Sequence, residues 1–152
     1  MTDEILYPLT LPQEAFYFDY LLHRNNNKYL MAGVFVLNGN LDIELYRKTY
    51  NYVISRFDAL RLKFIKKDDF LYQYFRQEYH TEIKYLDFRK NKNPVEEALD
   101  FILKEFKKPI SIEAENLFSE MIVQTGDATF IIGPKFNHMI LDAMGEGLLT
   151  RQ

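Results

Sequence analysis

Apolar residues recur at intervals of three and four along three segments of the chain, and this spacing predicts helices. The first segment, residues 13–23, follows Pro12 and carries a broad apolar stripe. The second follows Asp42, a residue type favoured at N-caps, and the third begins at Pro94, a residue type favoured in the first helical turn. The expected inner faces are Leu45, Tyr46, Tyr50, Val53, Ile54 and Phe57 in the second helix, and Val95, Leu99, Ile102, Leu103 and Phe106 in the third.

Between these segments the pattern changes to alternation or to short apolar runs, and both patterns predict strands. A continuous apolar run at residues 29–37 is expected to be a buried strand. Two hairpins are expected, one turning at Asp68 and Asp69 and the other at Gly126 and Asp127. The expected strands are residues 29–37, 60–64, 71–75, 83–86, 117–123 and 129–136.

Strands mixed with helices in this order predict an α/β (α+β) fold, a two-layer sandwich of a mixed β-sheet with helices. A length of 152 residues fits a single domain, residues 1–152, and no low-complexity linker divides it. Hydrophobic residues make up 47% of the chain and charged residues 27%, as in an average folded domain. We therefore expect one domain with a substantial core.

The composition argues against several kinds of partner. A net charge of -3, with basic residues scattered among acids, gives no field for nucleic acid. No apolar stretch approaches the ~20 residues that a membrane span needs, so no membrane association is expected. The absence of cysteine excludes disulfides and thiolate sites and is compatible with a reducing compartment, so a cytoplasmic location is expected. No metal site is expected either, because the three histidines, His23, His80 and His138, lack metal-pair spacing.

The candidate chemistry lies at the end of the last predicted strand. His138 follows that strand directly and precedes Asp142 by four residues. A neutral imidazole presented there could accept a proton from an attacking amine or hydroxyl group. Taken alone, a histidine at a strand end is usually a hydrogen-bonded structural residue, and Asp142 is most simply a helix N-cap.

Three short segments resemble motifs of one enzyme family. Residues 137–143, Asn-His-Met-Ile-Leu-Asp-Ala, resemble the HHxxxDG motif of nonribosomal peptide synthetase condensation domains, which have the chloramphenicol acetyltransferase fold. Residues 56–64 resemble the RHExLRTxF motif of that family, and residues 7–13 resemble its opening motif, xPLSxxQ. The three segments stand in the expected order, and the resemblance runs from about Tyr7 to the end.

The resemblance implies a function and a set of site residues. It implies condensation-type acyl transfer from a carrier-protein thioester to an acceptor amine, with His138 as the catalytic base or acceptor-positioning residue. Asp142 would pair with Arg61 to fix the loop, and Asn137, Ala143 and Met144 would contact the substrate. No cofactor would be bound directly, because the phosphopantetheine arm of an acyl or peptidyl carrier protein brings the substrate.

The chain also departs from the family pattern. Asn137 replaces the first His, Ala143 replaces the Gly and Phe57 replaces the His of the upstream motif. The resemblance covers the N-terminal lobe only, so the isolated lobe is expected to be a poor catalyst and to self-associate through its exposed interface. Three alternatives stay open: an O-acyltransferase or an epimerisation domain of the same superfamily, or a non-catalytic module that binds carrier proteins.

Overall fold

The structure, a computed structural model, describes residues 5–23, 27–77 and 79–149, so the two ends of the expected domain 1–152 lie outside the described residues. The Asp42 carboxylate caps the second helix by accepting a 2.9 Å hydrogen bond from the backbone N of Leu45. The helices are α1 (Leu11–Leu22), α2 (Ile43–Arg56), α3 (Asp58–Arg61), α4 (Pro94–Phe106) and α5 (Ala143–Leu149).

Within the described residues, eight strands form two sheets. The smaller sheet has the order β1-β5-β4, and the larger has the order β2-β8-β7-β6, with β3 also paired to β8. Of these described strand pairs only β6–β7 is parallel, so the larger sheet is mixed. The strands are β1 (Tyr7–Pro8), β2 (Leu30–Ala32), β3 (Phe35–Asn38), β4 (Leu62–Lys67), β5 (Phe70–Phe75), β6 (Lys84–Asp87), β7 (Phe118–Gly126) and β8 (Thr129–Asn137).

Helices cover both faces of the larger sheet. Alternate residues of β7 and β8 point to opposite faces. One set, including Ile122 and Ile132, packs with residues of α2, and the other, including Val123 and Ile131, packs with residues of α4. The predicted fold class, a mixed sheet packed with helices, is confirmed, and the structure adds that the sheet is enclosed from both sides.

A glycine allows α4 to approach the sheet closely. A Cβ built on Gly133 of β8 would lie 2.9 Å from Cγ2 of Ile102 and 3.2 Å from Cγ of Met121. These separations are shorter than ordinary carbon contacts. The side chain of Ile102, which is fully buried, therefore occupies the space that a larger residue at position 133 would need.

Both predicted hairpins are present. β4 and β5 turn at Asp68 and Asp69, whose φ angles of 49° and 67° are both positive, as a type I′ turn requires. β7 and β8 turn after Gly126. Leu60 and Arg61, however, belong to α3 rather than to the strand that was expected to include them.

The expectation for residues 29–37 is wrong in one respect. This run forms two short strands, β2 and β3, that pair successively along the same side of β8. Phe35 and Val36 are 46% and 60% exposed, so the run is not buried. Apolar composition alone does not distinguish an edge strand from a central one, because burial depends on which strands lie beside it.

The three long helices are confirmed, but their inner faces are narrower than expected. Leu45 is 60% exposed on α2, and Val95 and Leu103 are about half exposed on α4, at 48% and 50%. Ala98, which was not assigned to the inner face, is fully buried. Among the described residues, no helix combines the length and hydropathy needed to cross a bilayer.

Candidate active site

His138 occupies the turn that follows β8. Its backbone N donates a 2.8 Å hydrogen bond to the carbonyl O of Tyr29, which continues the pairing of β2 with β8 by one step. The imidazole is half-buried and lies 4.9 Å from the ring of Phe16 of α1, measured between centroids. Its Nδ1 is enclosed and has no hydrogen-bond partner among the described residues.

Asn137 fixes the turn from the interior. Its side-chain Oδ1 accepts a 3.0 Å hydrogen bond from the backbone N of Met139, and its Nδ2 donates to the carbonyl O of Ile110 at 3.2 Å. Its backbone N donates to the carbonyl O of Leu117 at 2.7 Å. The residue is only 4% exposed. Asn137 therefore has a structural role, because both ends of the amide are used within the protein, and its contact with substrate stays a prediction.

A pair of buried glutamines supports the same turn. Gln13 of α1 donates to the carbonyl O of Met139 at 3.1 Å and to Oε1 of Gln73 at 2.9 Å. Gln73 of β5 donates in turn to the carbonyl O of Pro8 at 2.8 Å. Oε1 of Gln13 accepts from the backbone N of Thr10 at 2.8 Å. The two amide groups therefore join α1, strands β1 and β5 of the smaller sheet, and the turn.

Sequence reasoning missed Gln73. The signal that could have found it is a single amide among the apolar residues of β5, since a polar side chain in such a strand needs a partner when buried. Gln13 was quoted within the opening motif, but its bond to the turn was not anticipated. Both side chains are buried, with 9% exposure for Gln13 and 7% for Gln73.

Arg61 and Asp142 are engaged separately. The Arg61 guanidinium bonds the Asp58 carboxylate and donates to the carbonyl O of Arg76 at 2.8 Å. Asp142 accepts a 2.7 Å hydrogen bond from the backbone N of Gly145 and thereby caps α5. Within the described residues, no ion pair of 4.0 Å or less joins Arg61 to Asp142. The expected pair is wrong in this structure, because each group has a partner three residues away in its own helical turn.

Ala143 and Met144 begin α5 and are exposed, Met144 by 81%. The first turn of α5 packs closely against Leu141, since a Cβ on Gly145 would lie 2.6 Å from Cδ1 of Leu141. The side chains at 143 and 144 are accessible, and their role as substrate contacts stays a prediction. Across the described part of the chain, no group of three or more metal-ligating side chains is assembled.

The comparison with protein families decides what kind of domain this is. A family model described as the condensation domain matches residues 3–152. The chain belongs to the condensation-domain family. Surfactin synthase subunit 1 of Bacillus subtilis (strain 168) is 29% identical over 146 residues, which are 96% of this chain and 4% of that protein. The dimodular nonribosomal peptide synthase of the same organism is 23% identical over 151 residues, 99% of this chain and 6% of that protein.

Solved condensation domains share the fold. The starter condensation domain of rhizomide synthetase, in a structure with C8-CoA, superimposes with a TM-score of 0.89 at 22% identity, covering 95% of this chain and 33% of that one. The first condensation domain of the CDA synthetase gives a TM-score of 0.85 at 14% identity and covers 38% of that chain. The chain thus spans between a third and two fifths of these two condensation-domain structures.

Family membership confirms the resemblance to condensation domains, whereas the assignment of the three individual motifs stays a prediction. Within the condensation domain, residues 137–142 form the turn between β8 and α5, with His138 at its surface and Asn137 beneath it. The assignment to the condensation-domain family does not depend on the Arg61–Asp142 pair, because the family match extends over residues 3–152.

Proposed function

We propose that this condensation-domain chain contributes His138 to acyl transfer from a carrier-protein thioester to an acceptor amine. The observation that supports the proposal is the position of the imidazole on a turn that is fixed by hydrogen bonds. The backbone of this turn is bonded to Tyr29, Leu117 and Gln13, which belong to three separate segments. Such a fixed turn keeps the ring in one place, and positioning supplies a large part of the rate in reactions of activated acyl groups.

In this reaction the amine nitrogen attacks the thioester carbonyl carbon, the C–S bond breaks and the sulfur leaves as a thiolate, which takes up the proton that the histidine has accepted from the amine. The imidazole of His138 accepts the proton that the nitrogen loses as the peptide bond forms. The thioester is borne on the phosphopantetheine arm of a carrier protein, which is a substrate carrier rather than a group held by this chain. Ala143 and Met144, exposed at the start of α5, are placed to contact that substrate.

Carrier proteins and the remainder of a condensation domain are the proposed partners. Exposed apolar side chains support the existence of a partner surface, including Phe18 at 66% and Leu22 at 79% on α1. We also propose that the isolated chain self-associates through these exposed apolar surfaces. An isolated chain of this length is proposed to be inactive, because a substrate tunnel between two lobes would lack one wall.

The test uses a chimera in which this chain replaces the corresponding third of the rhizomide synthetase starter condensation domain. Octanoyl-CoA and a leucyl thioester are supplied, and the acylated product is measured by mass spectrometry. We expect product from the chimera and at least a hundredfold loss on His138→Ala. His80→Ala is the matched control, because His80 is also a histidine but is exposed and outside the turn.

Equal turnover in the chimeras with and without His138 would reject the catalytic role. A chimera that folds and binds the octanoyl thioester but forms no product, with or without His138, would instead favour the non-catalytic module. The replacement of the first motif His by Asn137 and of the Gly by Ala143 is the feature that favours this second candidate.

A further inference from the structure

A cavity lies between α2 and the larger sheet, and His138 is not among its lining residues. Its volume is about 460 Å³. Its floor is formed by buried residues of the sheet, among them Ile132 and Phe136, and its rim includes the exposed Phe35 and Thr49. Most of the lining is therefore apolar, as in sites that bind small organic molecules.

One carboxylate stands in this apolar lining. Glu120 of β7 is 8% exposed and accepts a 2.5 Å hydrogen bond from the hydroxyl of Tyr46. No ion pair within 4.0 Å joins Glu120 to a cation among the described residues. Desolvation by burial raises the pKa of Glu120 to about 7, although its hydrogen bonds to tyrosine oppose this effect.

A second tyrosine lies beside the carboxylate. Tyr50 lines the same cavity, and burial together with the neighbouring Glu120 raises the pKa of its hydroxyl. Both tyrosines are neutral groups, so the one carboxyl of the described lining lacks a countercharge. An enclosed carboxylate without a cation is costly, and a cationic ligand would remove that cost.

We propose that this cavity binds a primary ammonium group carried on an apolar chain. The ammonium group bonds the Glu120 carboxylate and the Tyr50 hydroxyl, and the chain lies over the sheet residues Ile132 and Phe136. Charge complementarity selects this ligand, because Glu120 is the only Asp, Glu, Lys, Arg or His side chain in the described lining. The site does not require the proposed acyl-transfer activity and is tested without it.

The experiment measures binding of hexylammonium to the 152-residue chain at pH 8, where the ligand is charged, by calorimetry. Hexan-1-ol has the same apolar chain without the charge, and hexanoate has the opposite charge. We expect hexylammonium to bind at least tenfold more tightly than hexan-1-ol and hexanoate to show no binding. Amide chemical shifts should change at Glu120, Tyr50 and Ile132.

Two variants separate the carboxylate from general charge effects. Glu120→Gln should weaken hexylammonium binding at least tenfold and leave the binding of hexan-1-ol within twofold. Glu113→Gln, the same change of charge at an exposed carboxylate, should alter neither. Equal affinity for the amine and the alcohol, an unchanged affinity in Glu120→Gln, or shift changes confined to another surface would each overturn the proposal. The amide chemical-shift changes of the wild type with hexylammonium test the location of the site even if Glu120→Gln fails to fold.

Discussion

Replacing Glu120 by glutamine should stabilise the folded chain at alkaline pH and have little effect in acid. The substitution keeps the size of the side chain and leaves an oxygen to accept the hydrogen bond from Tyr46, but it removes the ionisable group. In the folded chain, burial raises the pKa of Glu120 to about 7, whereas an exposed glutamate has an ordinary value of 4.5. The carboxyl therefore stays protonated in the folded state at pH values where the unfolded state has already released its proton.

The sign and size of the effect follow from this difference. Below pH 4.5 both states are protonated, so Glu120 contributes no pH dependence. As pH rises from 4.5 to about 7, the unfolded state alone ionises, and the folded state loses stability progressively. A tenfold change in an ionisation constant corresponds to about 1.4 kcal/mol, so the raised pKa costs the folded chain about 3 kcal/mol above pH 7.

The assay is urea unfolding of the wild type and of Glu120→Gln between pH 4 and pH 8.5, followed by circular dichroism. The quantity of interest is the difference between the two free energies of unfolding, because the other titrating groups are common to both proteins and cancel. This difference should increase by about 3 kcal/mol across the range in favour of the variant, equivalent to roughly 6–12 °C in melting temperature. Glu113→Gln, at an exposed carboxylate, should show no such trend.

A pH-independent difference between the two free energies would refute the reasoning, since it would mean that Glu120 titrates alike in the folded and unfolded states. A difference that increases toward acid would refute it more strongly, because it would require a folded-state pKa below the ordinary value. Tyr46 and Tyr50 do not interfere, since burial raises the pKa of each hydroxyl further above its ordinary value of 10.0.

Two further substitutions test the packing around the candidate site. Gln73→Leu should lower the free energy of unfolding by about 1–3 kcal/mol, because it leaves the buried amide of Gln13 without one partner. Chemical denaturation measures this loss. An unchanged free energy of unfolding would show that the glutamine pair is dispensable. Gly133→Ala should cost about 1–3 kcal/mol, because its new methyl group would meet Ile102 at 2.9 Å. The matched Gly147→Ala change should not be destabilising by this mechanism, because no described atom outside its chain neighbours and its own helix backbone lies within 4 Å of the added Cβ.

The elements near the site show how far the sequence is informative. The β7–β8 hairpin and the position of His138 directly after it follow from a short apolar pattern and a Gly-Asp turn, which are local features. The capping role of Asp142 is local for the same reason, because its partner is three residues away. The proposed pair of Arg61 with Asp142 required two segments to meet across the fold, and the structure satisfies each group nearby instead.

By itself, the sequence determined the three long helices, the two hairpins and the turn that presents His138, because hydrophobic spacing, capping residues and turn residues act over only a few positions. It also carried the resemblance to condensation domains that the family match confirms. Only the tertiary structure decided the splitting of residues 29–37 into two edge strands, the interior role of Asn137 and the contact of Gln13 with Gln73. These features depend on which segments are neighbours, as does the desolvation that changes the ionisation of Glu120.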